Sequence, residues 1–231
     1  MRSVSIARRC LVVGASDGIG RALVRALVAD GWDVVGVSRS PAEPLGERYT
    51  HVVLDVRDPG YRKELSGLGV FDACVYCAGV GELLDVERLG EQRMAFEVNL
   101  LGAVDTAEVM IADWLPRGRG HLVVLSSLAD AAHSPEAPGY AASKAGASRY
   151  FESLALALRP RGIAITNVRF GFVDTKMAKS PVKPFMMSAE RAAAVVAGTL
   201  ASKPIRRSAP WPMVALMWAV GLALRWRVLL G

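Results

Sequence analysis

The sequence predicts a three-layer α/β/α fold in which helices cover both faces of a doubly wound parallel sheet. Short apolar runs, rich in β-branched residues and leucine, alternate along the chain with longer stretches of helical periodicity. The runs are apolar on both sides of the pleat, as is usual for strands buried on both faces. Alternating strands and helices imply right-handed crossovers between parallel strands. The 231 residues suit one domain of this kind.

Six segments are predicted to be strands and five to be helices. The strands cover residues 10–14, 33–38, 51–54, 72–76, 121–126 and 163–169. The helices cover residues 18–30, 61–68, 88–116, 139–158 and 188–200, the last with Ser188 as its N-cap. Ligands of such sheets bind beyond the carboxyl ends of the strands, near the switch in strand order. Functional residues are therefore expected just after each strand.

Charge is distributed unevenly along the chain. The formal net charge is +6, and residues 1–190 balance to zero because residues 191–231 hold six basic side chains and no acidic one. A nucleic-acid-binding protein usually carries a basic face across the body of its fold. The distribution therefore predicts no nucleic-acid partner and favours contact between the C-terminal segment and anionic lipid.

The three cysteines and three histidines do not have the spacing of a metal site or a disulfide framework. Cys74 and Cys77 form a C-x-x-C at a predicted strand, where residues three apart face opposite sides. We interpret them, with Cys10, as buried thiols and expect no metal. Few cysteines favour a reducing compartment, and the first nine residues lack the apolar stretch of a signal peptide. We expect a cytoplasmic protein, or one at the inner face of a membrane.

A glycine-rich turn follows the first predicted strand. Residues 14–20 read Gly-Ala-Ser-Asp-Gly-Ile-Gly and lead into the first predicted helix. Gly14 allows a sharp turn, Gly18 allows the backbone to approach a pyrophosphate, and Gly20 allows the helix to pack on the strand. A tight turn without a ligand is the alternative. We predict a Rossmann-type dinucleotide site contacted by Gly14, Ser16, Asp17, Gly18, Ile19 and Gly20.

The end of the second predicted strand indicates which dinucleotide is bound. Sites for NAD place a carboxylate there, on the ribose 2′-hydroxyl, whereas an arginine suits a 2′-phosphate. Arg39 stands at this point, and no acidic residue lies between Val34 and Pro41. NADP(H) is therefore favoured over NAD(H), with Asp17 in the glycine-rich turn as the observation against it.

Tyr140 and Lys144 lie one turn apart on a predicted helix, so their side chains share a face. A phenol has a reference pKa of about 10, and a nearby ammonium is expected to lower it. Tyr140 could then exchange a proton with a carbonyl or alcohol oxygen. Ser127, after the fifth predicted strand, could hydrogen-bond that oxygen as negative charge grows on it. Taken singly, neither feature is specific for catalysis, because a Tyr–Lys pair at this spacing is common and a serine at a strand end often forms a turn.

The glycine-rich turn followed by Asn99, Ser127, Tyr140 and Lys144 resembles the classical short-chain dehydrogenase/reductase family, over residues 8 to about 200. Ser127 is preferred to Ser126 because its spacing from Tyr140 matches the family. The resemblance implies hydride transfer between NADP(H) and an alcohol or ketone carbon, with Tyr140 as the acid or base. It implies that Lys144 holds the nicotinamide ribose and that Asn99 anchors a water in a proton relay. The alternative for Asn99 is a side chain that caps or bridges helices.

The resemblance also assigns further cofactor contacts and an assembly state. It assigns Asp55 and Val56 to the adenine, Ala78 and Gly79 to the ribose region, and Val173 and Thr175 to the nicotinamide. The chain departs from the family pattern at Val13 (usually Thr), at Tyr76 and Cys77 (usually Asn-Asn) and at Phe170 (usually Pro). Family members commonly pair long helices, so a homodimer or homotetramer is expected.

The last segment departs from the common family ending. We divide the chain into a catalytic domain, residues 1–203, and an apolar tail, residues 204–231. Residues 209–224 carry no charge and should form a helix from about Met213, shorter than the ~20 apolar residues a spanning helix needs. Tryptophan and arginine around an apolar helix favour a membrane interface. Packing on protein, as a dimer contact or a cover of the substrate pocket, is the alternative.

Three functions remain open from the sequence. The favoured one is a membrane-peripheral NADPH-dependent reductase of an apolar or lipid-linked ketone. Residues 172–187 would form a short apolar lid that holds Met177, Phe185, Met186 and Met187, unless these side chains pack in the core. The second is a soluble small-ketone reductase that uses its tail to dimerise. The third is a non-catalytic NADP(H)-binding sensor.

Overall fold

Seven parallel strands form one sheet in the computed structural model, which describes residues 8–178 and 182–230. In chain order they are β1 (Arg9–Val13), β2 (Asp33–Ser38), β3 (Tyr49–Val53), β4 (Ala73–Tyr76), β5 (Gly120–Ser127), β6 (Ile163–Phe170) and β7 (Arg206–Ala209). Across the sheet they run β3-β2-β1-β4-β5-β6-β7, and each neighbouring pair is parallel. The predicted doubly wound parallel sheet is confirmed, and its strand order reverses between β1 and β4.

Helices cover both faces of the sheet. They are α1 (Gly18–Ala29), α2 (Tyr61–Ser66), α3 (Arg93–Phe96), α4 (Gly102–Arg117), α5 (Pro138–Leu158), α6 (Ala189–Ser202) and α7 (Trp211–Leu230). Segments of 3-10 helix occupy Val86–Gln92, Leu128–Ala131 and Arg159–Arg161. The Ser188 hydroxyl accepts a hydrogen bond from Arg191 N, which confirms Ser188 as the N-cap of α6.

Two hydrophobic cores, one on each face of the sheet, explain why the strands are apolar on both sides. Leu11 and Val13 of β1 pack with α2, α4 and α5 on one face. Cys10 and Val12 pack with α1 and α6 on the other. Alternate side chains of a strand point to opposite faces, so a strand between two helical layers needs apolar residues at every position.

The stretch predicted as one long helix over residues 88–116 is helical from Arg93 onward, but its first half is not a continuous α-helix. A 3-10 segment precedes α3, Arg88 has non-helical dihedrals, and a π-helical turn, Glu97–Leu101, separates α3 from α4. The Tyr76 hydroxyl donates to Val98 O at 2.6 Å within this π-helical turn. A helical hydrophobic pattern does not distinguish α from π turns, which differ by one residue in their hydrogen bonding and often mark functional sites.

The tail contains a strand that the sequence pattern did not indicate. β7 pairs with β6 at the edge of the sheet, and of its four residues only Ala209 is buried. Arg206 binds the Glu152 carboxylate at 2.6 Å through Nε. An edge strand of mostly charged and small residues lacks the apolar run that identifies the central strands. The boundary that we place at residue 204 therefore marks a change in amino-acid composition. The segment after it still contributes a strand to the sheet.

The C-terminal helix α7 begins at Trp211, earlier than the predicted Met213. Pro212 lies in its first turn, where a missing N–H costs no intrahelical hydrogen bond. In the part of the chain that the structure describes, no helix is both long and apolar enough to cross a membrane.

Replacing Gly20 with alanine is expected to destabilise the fold. A Cβ on Gly20 would lie 2.0 Å from Gly14 O, a backbone atom that has no room to move. We expect a loss of about 2 kcal/mol in the free energy of unfolding, measured by urea denaturation.

Gly198→Ala is the matched control, because Gly198 is also helical but a Cβ there would meet nothing within 4 Å. Removal of a mid-helix glycine should stabilise by about 0.5–1 kcal/mol. Equal effects of the two substitutions would contradict the close packing at Gly20.

Candidate active site

A cleft of about 830 Å³ opens at the carboxyl ends of the strands, where the strand order reverses. It extends from the end of β2 to α7. Of the predicted site residues, those that line it are Gly14, Ser16, Asp17, Gly18, Ile19, Gly20, Arg39, Asp55, Val56, Ala78, Gly79, Ser127, Tyr140, Lys144, Val173 and Thr175. Asn99 lies outside this lining. Segments far apart in sequence thus converge on one elongated cavity, of a size that holds cofactors and drug-sized ligands.

The glycine-rich turn forms the floor of the cleft at close backbone range. Gly14 has φ +87°, and a Cβ there would lie 2.5 Å from Ala78 N. Gly18 has φ +53°, and its Cβ would lie 3.1 Å from Thr175 Cγ2. Gly14 and Gly18 thus let the turns after β1, β4 and β6 approach one another without intervening side chains. The N-terminus of α1 lines the cleft, and a helix N-terminus can bind an anion.

Both oxygens of the Asp17 carboxylate have a partner in the protein. Its Oδ1 caps α1 by accepting from Gly18 N at 2.8 Å, and its Oδ2 lies 2.6 Å from Lys176 Nζ. The Lys176 ammonium is the main reason why the pKa of Asp17 is lowered, with Gly18 N contributing. Lys176, which the sequence reasoning did not identify, thus places a cation beside the acid that was the observation against NADP(H).

Arg39 and Asp55 border the opposite end of the cleft. Arg57 Nη2 lies 2.9 Å from Asp55 Oδ2 and lowers the pKa of Asp55, an effect that partial burial opposes and the charge of Arg39 supports. The carboxylate of Asp55 therefore makes its hydrogen bonds with Arg57, two residues later in the same turn. Arg39 is exposed and lines the cleft, so its guanidinium is accessible to a ligand at this end.

Tyr140, Lys144 and Ser127 meet at the far end of the cleft. Lys144 is buried, and its Nζ donates to Leu125 O of β5 at 2.8 Å. Burial lowers the pKa of Lys144 to about 8, and Cys77 opposes this shift. Ser127 lines the cleft together with Tyr140, and its Oγ accepts from Ala129 N at 3.1 Å.

The predicted effect of Lys144 on Tyr140 is wrong. Burial raises the pKa of Tyr140, the hydrogen bond with Ser127 opposes the rise, and the negative charge of Asp130 adds to it. Lys144 makes its hydrogen bond to the β5 backbone, so the ammonium does not stabilise the phenolate directly. Helical spacing predicted a shared face correctly, but it does not reveal which acceptor a flexible lysine finds.

Asn99 lies behind the cleft, in the π-helical turn, and is almost wholly buried. Its Oδ1 accepts from Val80 N at 2.8 Å, and its Nδ2 donates to Val80 O at 2.9 Å and to Ser143 Oγ at 3.0 Å. A Cβ on Gly79 would be 3.3 Å from Asn99 Oδ1 and 3.6 Å from Lys144 Nζ. The side chain therefore joins the turn after β4 to α5, beside the lysine.

Comparisons with known proteins agree with this architecture. The sequence profile described as short chain dehydrogenase matches residues 8–184, more than half of the chain. The chain belongs to the short-chain dehydrogenase family. It is 30% identical to an uncharacterized oxidoreductase of Mycobacterium tuberculosis, over 92% of this chain and 94% of that protein.

Two further relatives of this short-chain dehydrogenase extend the comparison. The 3-oxoacyl-[acyl-carrier-protein] reductase FabG of Escherichia coli is 29% identical, over 74% of this chain and 75% of that one. The crystal structure of a short chain dehydrogenase from Burkholderia cenocepacia J2315, in complex with NADP, superposes with a TM-score of 0.84 at 23% identity. The superposition covers 96% of this chain and 95% of that structure. The chain is thus an oxidoreductase with the family fold over nearly its whole length.

Apolar side chains also line the cleft of this short-chain dehydrogenase. Its lining includes Leu128, Phe172, Met177, Met213 and Met217. The last two come from α7, which sequence reasoning had offered only as an alternative cover of the pocket. Of the other residues in the predicted lid, Met187 is buried and forms a bridge with Val173, whereas Phe185 and Met186 are exposed.

Two of the three cysteines are buried as predicted, and the prediction is wrong for Cys77. Cys10 and Cys74 are fully buried, and burial raises the pKa of each. Cys77 is partly buried and lines the cleft, and burial raises its pKa to about 12 although Lys144 opposes the rise. All three are protonated thiols at neutral pH. Over residues 8–178 and 182–230, no cluster of His, Cys, Asp and Glu side chains could hold a metal ion.

Proposed function

We propose that this chain is an NADP(H)-dependent oxidoreductase that reduces a ketone to a secondary alcohol, or catalyses the reverse, with Tyr140 as the acid or base. The observation that carries the proposal is the convergence of Tyr140, Ser127 and Lys144 at one end of the cleft. The glycine-rich turn forms the floor of the same cleft. A dinucleotide bound along that floor would present its reactive ring to these three residues.

Bound NADPH would supply the hydride for reduction. Tyr140 donates its phenolic proton to the oxygen of the ketone, and Ser127 donates a hydrogen bond to the same oxygen as its negative charge grows. Lys144 and the backbone around Gly79 would hold the nicotinamide ribose, with Val173 and Thr175 at the nicotinamide. Asn99 supports this arrangement from behind, because it fixes the turn after β4 on α5.

The protonation state of Tyr140 favours reduction at neutral pH. Its pKa is raised above the ordinary value, so the phenol is protonated and can act as an acid. Alcohol oxidation needs the phenolate, and its rate should increase with pH up to the pKa of Tyr140. Lys144, with a pKa lowered to about 8, remains mostly charged at neutral pH.

NADP(H) is proposed over NAD(H) on the basis of two cations. Arg39 borders the adenosine end of the cleft, and Lys176 neutralises Asp17 beside the glycine-rich turn. A guanidinium is the usual partner of a 2′-phosphate. The Burkholderia structure, described as a complex with NADP, supports the same choice.

The substrate is proposed to be an apolar or lipid-linked carbonyl compound. Methionines of the lid and of α7 line the cleft, and methionine side chains adapt their shape to apolar ligands. FabG, by its name, reduces a 3-oxoacyl chain carried on a protein. The alternatives are a small soluble ketone and, if the chain is not a catalyst, an NADP(H) sensor.

We further propose that α7 attaches the protein to an anionic membrane surface. One side of the helix, with Met213 and Gly221, is buried. The other side exposes Trp218 and Trp226, at 71% and 58% of their surface. Such tryptophans prefer the interface between lipid headgroups and acyl chains. A homodimer or homotetramer, as is common in the family, is proposed for the assembly, and α7 as a dimer contact is the alternative to membrane attachment.

Tyr140→Phe is expected to lower kcat on the order of 10²–10⁴-fold, because it removes the proton donor and keeps the ring. Tyr150→Phe, on the exposed side of the same helix α5, is the matched control and should leave kcat unchanged. NADPH oxidation is measured with a panel of ketones of increasing chain length. NADPH binding, followed by fluorescence, should survive both substitutions. Activity of the Tyr140→Phe variant within tenfold of the wild type would contradict the proposal and favour a sensor.

Arg39→Ala is expected to raise the KM for NADPH about tenfold or more while the KM for NADH changes little, because only NADPH carries the 2′-phosphate. Arg48→Ala is the control, since Arg48 pairs with Asp33 outside the cleft lining. Steady-state kinetics with both cofactors measure the effect. Equal changes for NADPH and NADH would show that Arg39 does not recognise the phosphate.

Trp218→Ser is expected to weaken binding to phosphatidylglycerol vesicles about tenfold or more. Val70→Ser is the control, because Val70 is also exposed but lies at the amino end of β4, away from α7. Vesicle co-sedimentation of the full chain measures the binding, and size-exclusion chromatography follows the assembly. If the wild-type protein does not bind vesicles and the Trp218→Ser variant is monomeric, membrane attachment is refuted and the dimer contact is favoured.

A further inference from the structure

A buried ion pair lies next to the cleft, between residues that have no role in the mechanism above. Asp130 follows β5 in the 3-10 turn, and its Oδ2 accepts from Arg169 Nε at 2.7 Å while its Oδ1 accepts from Arg169 Nη2. The side chains of Asp130 and Arg169 are only 5% and 13% exposed. Two-point pairing of this kind is what allows charged groups to leave water.

Two serine hydroxyls connect the ion pair to α5. Ser148 Oγ donates to Asp130 Oδ2 at 2.5 Å and lies 2.8 Å from Ser126 Oγ. Ser126 Oγ in turn lies 3.1 Å from the carbonyl oxygen of Lys144. Asp130, Arg169, Ser148 and Ser126 therefore form one buried network, and each member has a partner within it.

The network joins the three segments that carry the proposed active site. Ser126 precedes Ser127 at the end of β5, and Ser148 is one turn beyond Lys144 on α5. Arg169 lies at the end of β6, just before the loop that contains Val173 and Thr175. A displacement of any of these segments would disturb a hydrogen bond to a buried charge, which is costly.

Asp130 also acts on Tyr140 through its charge. Its carboxylate raises the pKa of Tyr140, in the same direction as burial, and the guanidinium of Arg169 lies directly on that carboxylate. Other ionisable groups around Tyr140 come from its own helix, from the loop before it, from the turn after β4 and from the lid. These are Lys144, Glu136, Cys77, Glu82 and Lys176, all of which line the cleft.

We propose that the Asp130–Arg169 ion pair, connected through Ser148 and Ser126 to α5, is a positioning unit that sets the placement and the electrostatic environment of Tyr140. The proposal rests on the proposed function, in which Tyr140 exchanges the proton. Arg169 pairs with Asp130 and carries the opposite charge, so removal of one side chain should affect Tyr140 in the opposite direction from removal of the other. Neither touches the substrate, and each acts through the residues it holds.

The test measures the pH profile of kcat/KM for oxidation of an apolar secondary alcohol, 2-octanol, by NADP⁺. Asp130→Asn removes the negative charge and leaves the guanidinium unopposed, so the acidic limb should move to lower pH. Arg169→Gln leaves the carboxylate unopposed, so the limb should move to higher pH. The Asp130→Asn, Arg169→Gln double variant removes both charges, and its limb should lie closer to that of the wild type than the limb of Asp130→Asn does.

Ser148→Ala tests the positioning role without a change in charge. It should lower kcat about three- to tenfold and leave the limb in place. NADPH fluorescence titration reports whether each variant still binds the cofactor. If Arg169→Gln does not fold, the acidic limbs of Asp130→Asn and of the double variant still test the proposal. The proposal would be overturned if the acidic limb of the kcat/KM profile lay at the same pH in the wild type, in Asp130→Asn and in the double variant. An active Tyr140→Phe enzyme would instead overturn the proposed function, so the two failures are distinguishable.

Discussion

The structure depends on the close approach of two backbone turns where the strand order reverses. Gly14, after β1, lies so near Ala78, after β4, that a Cβ would meet the Ala78 backbone, and Gly20 packs equally closely on Gly14. Two crossovers can meet at that distance only without side chains between them. This contact brings the N-terminus of α1 to the edge of the sheet and opens the cleft beside it.

Buried polar groups then hold the proposed catalytic segments in place. On one side of Lys144, Asn99 joins the turn after β4 to α5. On the other side, Ser126 and Ser148 join α5 to the ends of β5 and β6 through Asp130 and Arg169. Each buried polar atom in these two sets makes its hydrogen bonds within the protein, which gives them a defined geometry. Lys144 lies between them with its ammonium on the β5 backbone.

The C-terminal helix extends from the cleft to the outer surface of the protein. Its inner side brings Met213 and Met217 to the cleft, and Gly221 lets it pack against the backbone of Ala131. Its outer side exposes Trp218 and Trp226. An apolar ligand would thus meet the same helix at the surface and inside the site. In the proposed function, one element serves both attachment and specificity.

The sequence by itself predicted the fold class, and all but one of the predicted site residues line the cleft. Strands buried on both faces and helices with one apolar side have distinct periodicities, and glycines that permit a close approach stand at fixed spacing. Because these signals are local, they predicted β1, α1 and the shared helical face of Tyr140 and Lys144. The charge imbalance after residue 190 was equally visible.

Only the tertiary structure decided which groups meet across the chain. It placed Lys176 on Asp17, turned the Lys144 ammonium toward Leu125 O and not toward the Tyr140 phenol, and paired Asp130 with Arg169. It also added β7 to the sheet and brought α7 to the cleft. Hydrogen bonds, ion pairs and the burial that shifts a pKa depend on distances between residues remote in sequence. No local pattern of residue types contains those distances.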